Sequence, residues 1–264
     1  MFTVKKIFIV LSVSLFTFFT AKAEKDILFS SSFDDFDFTA EKGVNPVSIN
    51  QKKPLLPTQK FAGINGKNAV LLLPRDAVIY NAKGNLPERN GSVAFWFAPQ
   101  FDVPYSCAQD YFTISFSDLA VNIHQAKGKY HDGKLLLSVT AFDKNRKVVK
   151  ALQGRHDLPE GTLKKGIWHS IVVTWSPEEI VLYLDGKIMP LKANEKWLKQ
   201  SRSIVKLPPG ISLQITEKNR FSLNHQSRSA DRAKEGVAYD ELKIYSRTLS
   251  AEEISKLYTP VTGK

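Results

Sequence analysis

The sequence predicts an all-β protein: a sandwich of two antiparallel sheets with one short C-terminal helix. Three observations predict it. Apolar residues recur with period two, the spacing that sends alternate side chains to opposite faces of a strand. Gly and Pro stand between these runs rather than inside them, as in Asn65-Gly66, Asp132-Gly133 and Asp185-Gly186. A convincing helix signature occurs once, at the end of the chain.

Before the first strand comes a leader. Lys5 and Lys6 precede an apolar run from Ile7 to Phe19, and Ala21-Lys22-Ala23 has the small-x-small pattern that signal peptidase accepts. Residues 1–23 therefore read as a signal peptide cleaved after Ala23, and residues 24–264 as one mature β-sandwich domain, secreted or periplasmic. The apolar run is short for a bilayer span, and no other stretch approaches membrane length, so no integral membrane segment is expected after cleavage. No cysteine stands at the cleavage point, which argues against a lipoprotein.

In the mature chain, Gly91 to Ala98 sets Val93, Phe95 and Phe97 on one face and Ala94, Trp96 and Ala98 on the other. Leu135, Leu137, Val139 and Ala141 alternate with Leu136, Ser138 and Thr140. Ile171, Val173 and Trp175 alternate with Val172 and Thr174; this strand and Leu182-Tyr183-Leu184 read as a hairpin joined at Ser176-Pro177-Glu178-Glu179. Several of these strands are apolar on both faces, as expected where both sides are covered. Thr216 to Gly236 has little periodicity and reads as a long surface loop. Asp240 to Ser246 reads as the last strand. Ser250-Ala251-Glu252-Glu253 is a capping box, after which Ile254, Leu257 and Tyr258 share one helix face and Pro260 ends the element.

Four segments carry a resemblance. Ile27 to Asp34 ends in Phe-Asp; Gly91-Ser92-Val93-Ala94-Phe95-Trp96-Phe97 is the second; the hairpin Trp168 to Lys187 is the third; Asp240 to Tyr258 is the fourth. In this order they resemble the laminin-G-like jelly roll of the concanavalin A-like lectin/glucanase superfamily. Residues 99–165 and 190–236 match no named motif, and they fall where ligand loops vary in that superfamily. The resemblance implies the jelly-roll architecture and leaves the activity to the site.

Catalysis is not expected. Glycoside hydrolases of this superfamily need two carboxylates projecting from one strand face, and Glu-x-Asp-x-(x)-Glu does not occur. Most acids fall in turns (Asp132, Asp185, Glu178, Glu179) or the terminal helix (Glu252, Glu253), while Asp35 and Asp37 sit beside the opening strand. Asn122-Ile123-His124 echoes the Gln-Ile-His strand of polysaccharide lyases, but without its Arg- and Tyr-bearing partners. His124, His131, His156, His169 and His225 lack metal-ligand spacing, and a structural hydrogen bond explains His169. The single cysteine, Cys107, has no legible His partner and forms no disulfide within the chain.

The chain is basic, with 37 Lys+Arg against 26 Asp+Glu. The excess concentrates in Lys144 to Lys147, Lys196 to Lys206 and Lys218 to Lys234. An exported basic protein meets anionic polysaccharide or envelope surfaces; no nucleic-acid module is legible. Trp96, Trp168 and Trp175 lie on motif strands and read as core. Trp197, flanked by lysines, either stacks on a sugar ring or folds back on the sandwich; Tyr105 and Tyr111 are comparable candidates. The expected function is a non-catalytic recognition module for glycan or polysaccharide, possible anionic groups included, with Trp197, Lys199, Arg220, Arg228 and Arg232 as candidate contacts. The alternatives are an envelope or extracellular protein-interaction scaffold and a diverged hydrolase or lyase.

The resemblance also implies a structural calcium ion, held by an acid and a carbonyl near the first strand and an Asp on the last. The matching positions are Asp34, Gly43 and Asp240. The competing expectation is that Asp34 ends a strand and Asp240 pairs with a lysine.

Overall fold

A computed structural model describes residues 25–35, 38–49, 60–73, 76–101, 109–125, 134–143, 145, 147–158, 162–188, 204–224 and 235–258. The first strands are β1 (Ile27–Ser31), β2 (Lys60–Ala62), β3 (Asn68–Leu72), β4 (Val78–Asn81) and β5 (Gly91–Pro99). Next come β6 (Gln109–Ser115), β7 (Leu119–Gln125), β8 (Lys134–Phe142), β9 (Val148–Asp157), β10 (His169–Trp175) and β11 (Glu179–Leu184). The chain continues with β12 (Lys187–Ile188), β13 (Ile204–Lys206), β14 (Arg220–Leu223), β15 (Val237–Tyr245) and helix α1 (Ala251–Leu257).

All of the strand pairs are antiparallel, and they build two sheets. The larger runs β12-β11-β10-β5-β15-β3-β2, with β1 also beside β15 and β13 beside β11. The smaller runs β4-β14-β6-β7-β8-β9. Between them lies one core, in which Phe29 meets Tyr80 and Phe221 edge-on with centroids 4.7 and 5.0 Å apart. Trp175 is fully enclosed there, and Gly91 makes room for it: a Cβ on Gly91 would stand 2.2 Å from Trp175 Cζ2.

The expected hairpin is present, β10 pairing β11 from Ile171↔Leu184 to Trp175↔Ile180. Ser176 closes its turn by donating its N–H to Glu179 O at 2.9 Å. At the other end, Asp185 (φ 51°) and Gly186 (φ 72°) form the left-handed pair of a two-residue turn into β12. The Asp185 carboxylate accepts the Ser170 N–H at 2.9 Å and lies 2.8 Å from His169 Nδ1. That is the structural hydrogen bond expected of His169, and it places the ring proton on Nδ1, because a carboxylate accepts.

First and last strands are neighbours. β15 pairs β5 along its length, but a bulge between Asp240 and Lys243 interrupts the register and turns Glu241 to φ 52°. On its other edge, Val237 to Tyr239 pair β3, and Leu242 to Tyr245 pair β1. α1 has the expected capping box: Glu253 N–H donates to Ser250 Oγ, and Ser250 N–H donates to the Glu253 carboxylate. Ile254 is wholly buried against Val172, Tyr183 and Tyr245 on the outer face of the larger sheet.

Four expectations are corrected. Thr216 to Gly236 is not all loop: it contains β14, which sits between β4 and β6 and buries Phe221 and Leu223. Tyr111 is no surface aromatic. It is fully buried, and burial holds its phenol well above the ordinary range. Trp175 alone of the three motif tryptophans joins the central core. Trp96 is half-buried on the outer face of the larger sheet, and Trp168 packs edge-on against Phe61 in a small outer cluster, centroids 5.9 Å apart.

Candidate functional site

The outer face of the larger sheet holds a groove of about 290 Å³. Its floor follows from alternation. Val93, Phe95 and Phe97 of β5 turn inward, so Ala94 and Trp96 turn outward. Cross-strand register sets Trp96 between Ser170 on β10 and Asp240 on β15, and Ala94 between Val172 and Lys243. The small Ala94 beside the bulky Trp96 leaves the depression. α1 supplies one wall with Leu257, and Tyr258, its C-cap, stacks on Trp96 with centroids 5.6 Å apart and planes 21° from parallel. The β2–β3 turn supplies the other wall with Ile64 and Asn65.

The polar groups are few, and three of them pair with one another. Asn65 Nδ2 donates to Glu241 Oε1 at 3.2 Å, and Lys243 Nζ donates to Glu241 Oε2 at 2.5 Å. Ser170 also lines the groove; the residue is only 6 % exposed, and its Oγ is buried with no hydrogen-bond partner among the described residues. A buried hydroxyl left unpaired costs about 1–3 kcal/mol, so this one is poised to be met by something entering the groove. An aromatic pair, an apolar floor and a few convergent polar groups are what a pocket for a small, partly polar ligand offers.

Beside the groove the bulge of β15 meets the β2–β3 turn. Asp240 is 3 % exposed, and its Oδ2 accepts the Ile64 N–H at 2.9 Å. Burial pushes this carboxyl up to about 7, reinforced by the charges of Glu241 and Asp34. Asp34 binds the same turn: Oδ2 accepts from Lys67 Nζ at 3.1 Å, and Oδ1 accepts the Asn68 N–H at 3.3 Å. The two acids assigned to calcium thus converge as the order of the strands requires, but nitrogen donors occupy their oxygens. Gly43 packs instead against Phe29 and against Asn85, whose side chain clamps both polar groups of Val44. Among the described residues no group of three or more His, Cys, Asp or Glu side chains could hold a metal ion. As placed, these residues do not fit calcium, and the lysine pairing falls to Asp34 rather than Asp240.

Of the candidate ligand contacts, Arg220 begins β14 on the other sheet, and its guanidinium donates to the carbonyls of Glu217 and Asn219. Trp197, Lys199, Arg228 and Arg232 lie outside the described residues, as do Tyr105, Cys107 and the leader. The groove residues Trp96, Ser170, Asn65, Glu241 and Lys243 were not among the candidates. The signal for Trp96 was available, since period two sets it opposite Phe95 and Phe97; Asn65 and Ser170 carry no local signal.

No family model matches the chain, and no curated protein does. Solved structures do. The binding domain of Paraclostridial Mosquitocidal Protein 1 aligns over 89 % of this chain and 52 % of its own, at 13 % identity and TM-score 0.62. The binding domain of Botulinum neurotoxin serotype D aligns over 90 % and 51 %, at 16 % identity and TM-score 0.57. Domain 4 of AbnA, a GH43 extracellular arabinanase from Geobacillus stearothermophilus solved with arabinotriose, aligns over 89 % and 98 %, at 15 % identity and TM-score 0.60. The chain spans about half the length of the two toxin binding domains and nearly all of the arabinanase domain. At these identities the similarity establishes the sandwich fold.

Proposed function

We propose that this chain is an exported, non-catalytic recognition module of laminin-G-like kind, and that it binds glycan in the outer-face groove. The observation that carries the reading is the half-exposed Trp96–Tyr258 pair set beside the buried, unpartnered hydroxyl of Ser170. A sugar ring has an apolar face to lay on an indole and hydroxyls to meet Ser170, Asn65 and Glu241. The solved structures support it in kind: two are toxin binding domains, and one holds arabinotriose. Export rests on the leader at residues 1–23.

A hydrolase reading would look to Asp240, whose carboxyl burial raises, and to Glu241 beside it. The Gly63–Ile64 backbone covers Asp240, leaving it 3 % exposed, and Lys243 holds Glu241. Neither acid is free to reach a glycosidic oxygen. The test is a glycan array run with the wild type and Trp96→Ala, alongside a reducing-end assay on polysaccharides. The reading expects Trp96-dependent glycan binding and no sugar release. Binding to no glycan, with capture of an envelope protein through the same face, would replace it with the scaffold reading.

A further inference from the structure

We infer that the groove selects a neutral glycan. This rests on the groove being the glycan site and adds the chemical class of its ligand. Among the described residues that line the groove there is one cation, Lys243, and it is already engaged with Glu241 at 2.5 Å. The next cation along the same wall, Lys67, is engaged with Asp34 at 3.1 Å. A further acid backs the groove. Asp185 holds the Ser170 amide from behind, and its charge also reaches the Tyr258 phenol.

An anionic sugar would therefore have to share Lys243 with Glu241 and bring its own charge beside that carboxylate. A shared cation gains little for the newcomer, and the like charge repels the ligand. A neutral sugar faces no such repulsion. Its hydroxyls both donate and accept, so one can donate to a Glu241 oxygen while another serves Ser170 Oγ, with the ion pair left intact. Arg220, one part of the basic excess read from composition, is on the opposite sheet with its guanidinium turned to backbone carbonyls.

Calorimetric titration of the full mature chain tests this with arabinotriose, xylotetraose and cellotetraose as neutral probes, and with a tetragalacturonate and a chondroitin sulfate tetrasaccharide as anionic ones. At least one neutral probe should bind with an affinity that changes less than about twofold between 50 and 300 mM salt, since no charge is neutralised. Trp96→Ala and Ser170→Ala should each weaken that binding, Trp96→Ala by about tenfold or more, while Arg220→Ala leaves it unchanged. Circular dichroism of each variant separates lost binding from lost folding, and Ser170→Ala keeps the question open to test should Trp96→Ala unfold. Tighter, salt-sensitive binding of an anionic probe that still needs Trp96 and Ser170 would overturn the neutral assignment and leave the groove standing. Binding of any probe that survives both substitutions would overturn the groove itself, and so would the absence of binding by every probe.

Discussion

Asp240 and Glu253 are both carboxylates near the chain's end, yet their surroundings move them in opposite directions, and each leaves its own mark on stability against pH. Asp240 is raised to about 7, chiefly because burial disfavours its charge. The folded chain then holds a proton that the unfolded chain releases near the ordinary value of 3.8. Its contribution is complete below that value and is lost as pH rises towards 7, with a slope of at most about 1.4 kcal/mol per pH unit. Glu253 is lowered to about 2, first by its bond to Arg247. Its contribution is present above the ordinary value of 4.5 and is lost as pH falls towards 2. Urea melts across pH 3 to 8 should show both limbs. Asp240→Asn, whose amide oxygen can still accept from Ile64, should flatten the fall between pH 4 and 7 and spare the acid limb; Glu253→Gln should do the reverse. If Asp240→Asn leaves the fall unchanged, Asp240 is not the group that titrates there. Neither shift is visible in the sequence, where the bulge that buries one acid and the arginine beside the other leave no local pattern.

At the scale of elements, legibility followed length and capping. β5, β10 and β11 are long alternating runs, and α1 begins with a capping box, so each could be read from its own residues. β14 could not: Arg220-Phe221-Ser222-Leu223 is too short to show a period, and it is a strand because β4 and β6 flank it. The groove was hidden for a related reason, since it depends on register between β10, β5 and β15 and on a turn more than a hundred residues away from β15. Register also decides two predictions. Gly91 opens β5 with no space for a side chain, its added Cβ meeting both Trp175 and Pro87 within 2.4 Å, so Gly91→Ala should destabilise the fold by about 1–3 kcal/mol through overpacking. A denaturation midpoint equal to wild type would mean Trp175 is not seated as described. Where β15 meets the β2–β3 turn, Lys67 already supplies the positive charge beside Asp34. Calcium and chelator should therefore leave the melting midpoint unchanged, whereas Lys67→Met, which vacates that position, should make calcium stabilising. A wild-type midpoint that rises with calcium would put a metal ion among these acids after all.

Over the whole molecule, the two ends of the described chain are fastened to each other at Arg247, and the fastening bears on the groove. The Arg247 Nε donates to Asp26 Oδ2 at 2.6 Å, just before β1, while its two terminal nitrogens hold the Glu253 carboxylate on α1 at 2.9 and 2.7 Å. Ser92 completes the junction from β5, donating to Arg247 O and accepting the Leu249 N–H, both at 2.9 Å. α1 is short, and a helix of two turns has little stability of its own. It stays in place through Ile254, its capping box and this arginine, and it carries Leu257 and Tyr258 to the groove wall. Replacing Arg247 with Met keeps the apolar stem and removes all three charge-assisted bonds. The loss should be about 1–2 kcal/mol, given that the guanidinium remains partly in water. Because the arginine touches no groove residue through these bonds, its effect on ligand must pass through α1. Arg247→Met should therefore weaken neutral-glycan binding severalfold, raise amide exchange in residues 251–257, and leave exchange in β6 to β8 as in the wild type. Unaltered affinity alongside faster exchange in α1 would show that the helix wall, and with it Tyr258, contributes nothing to recognition.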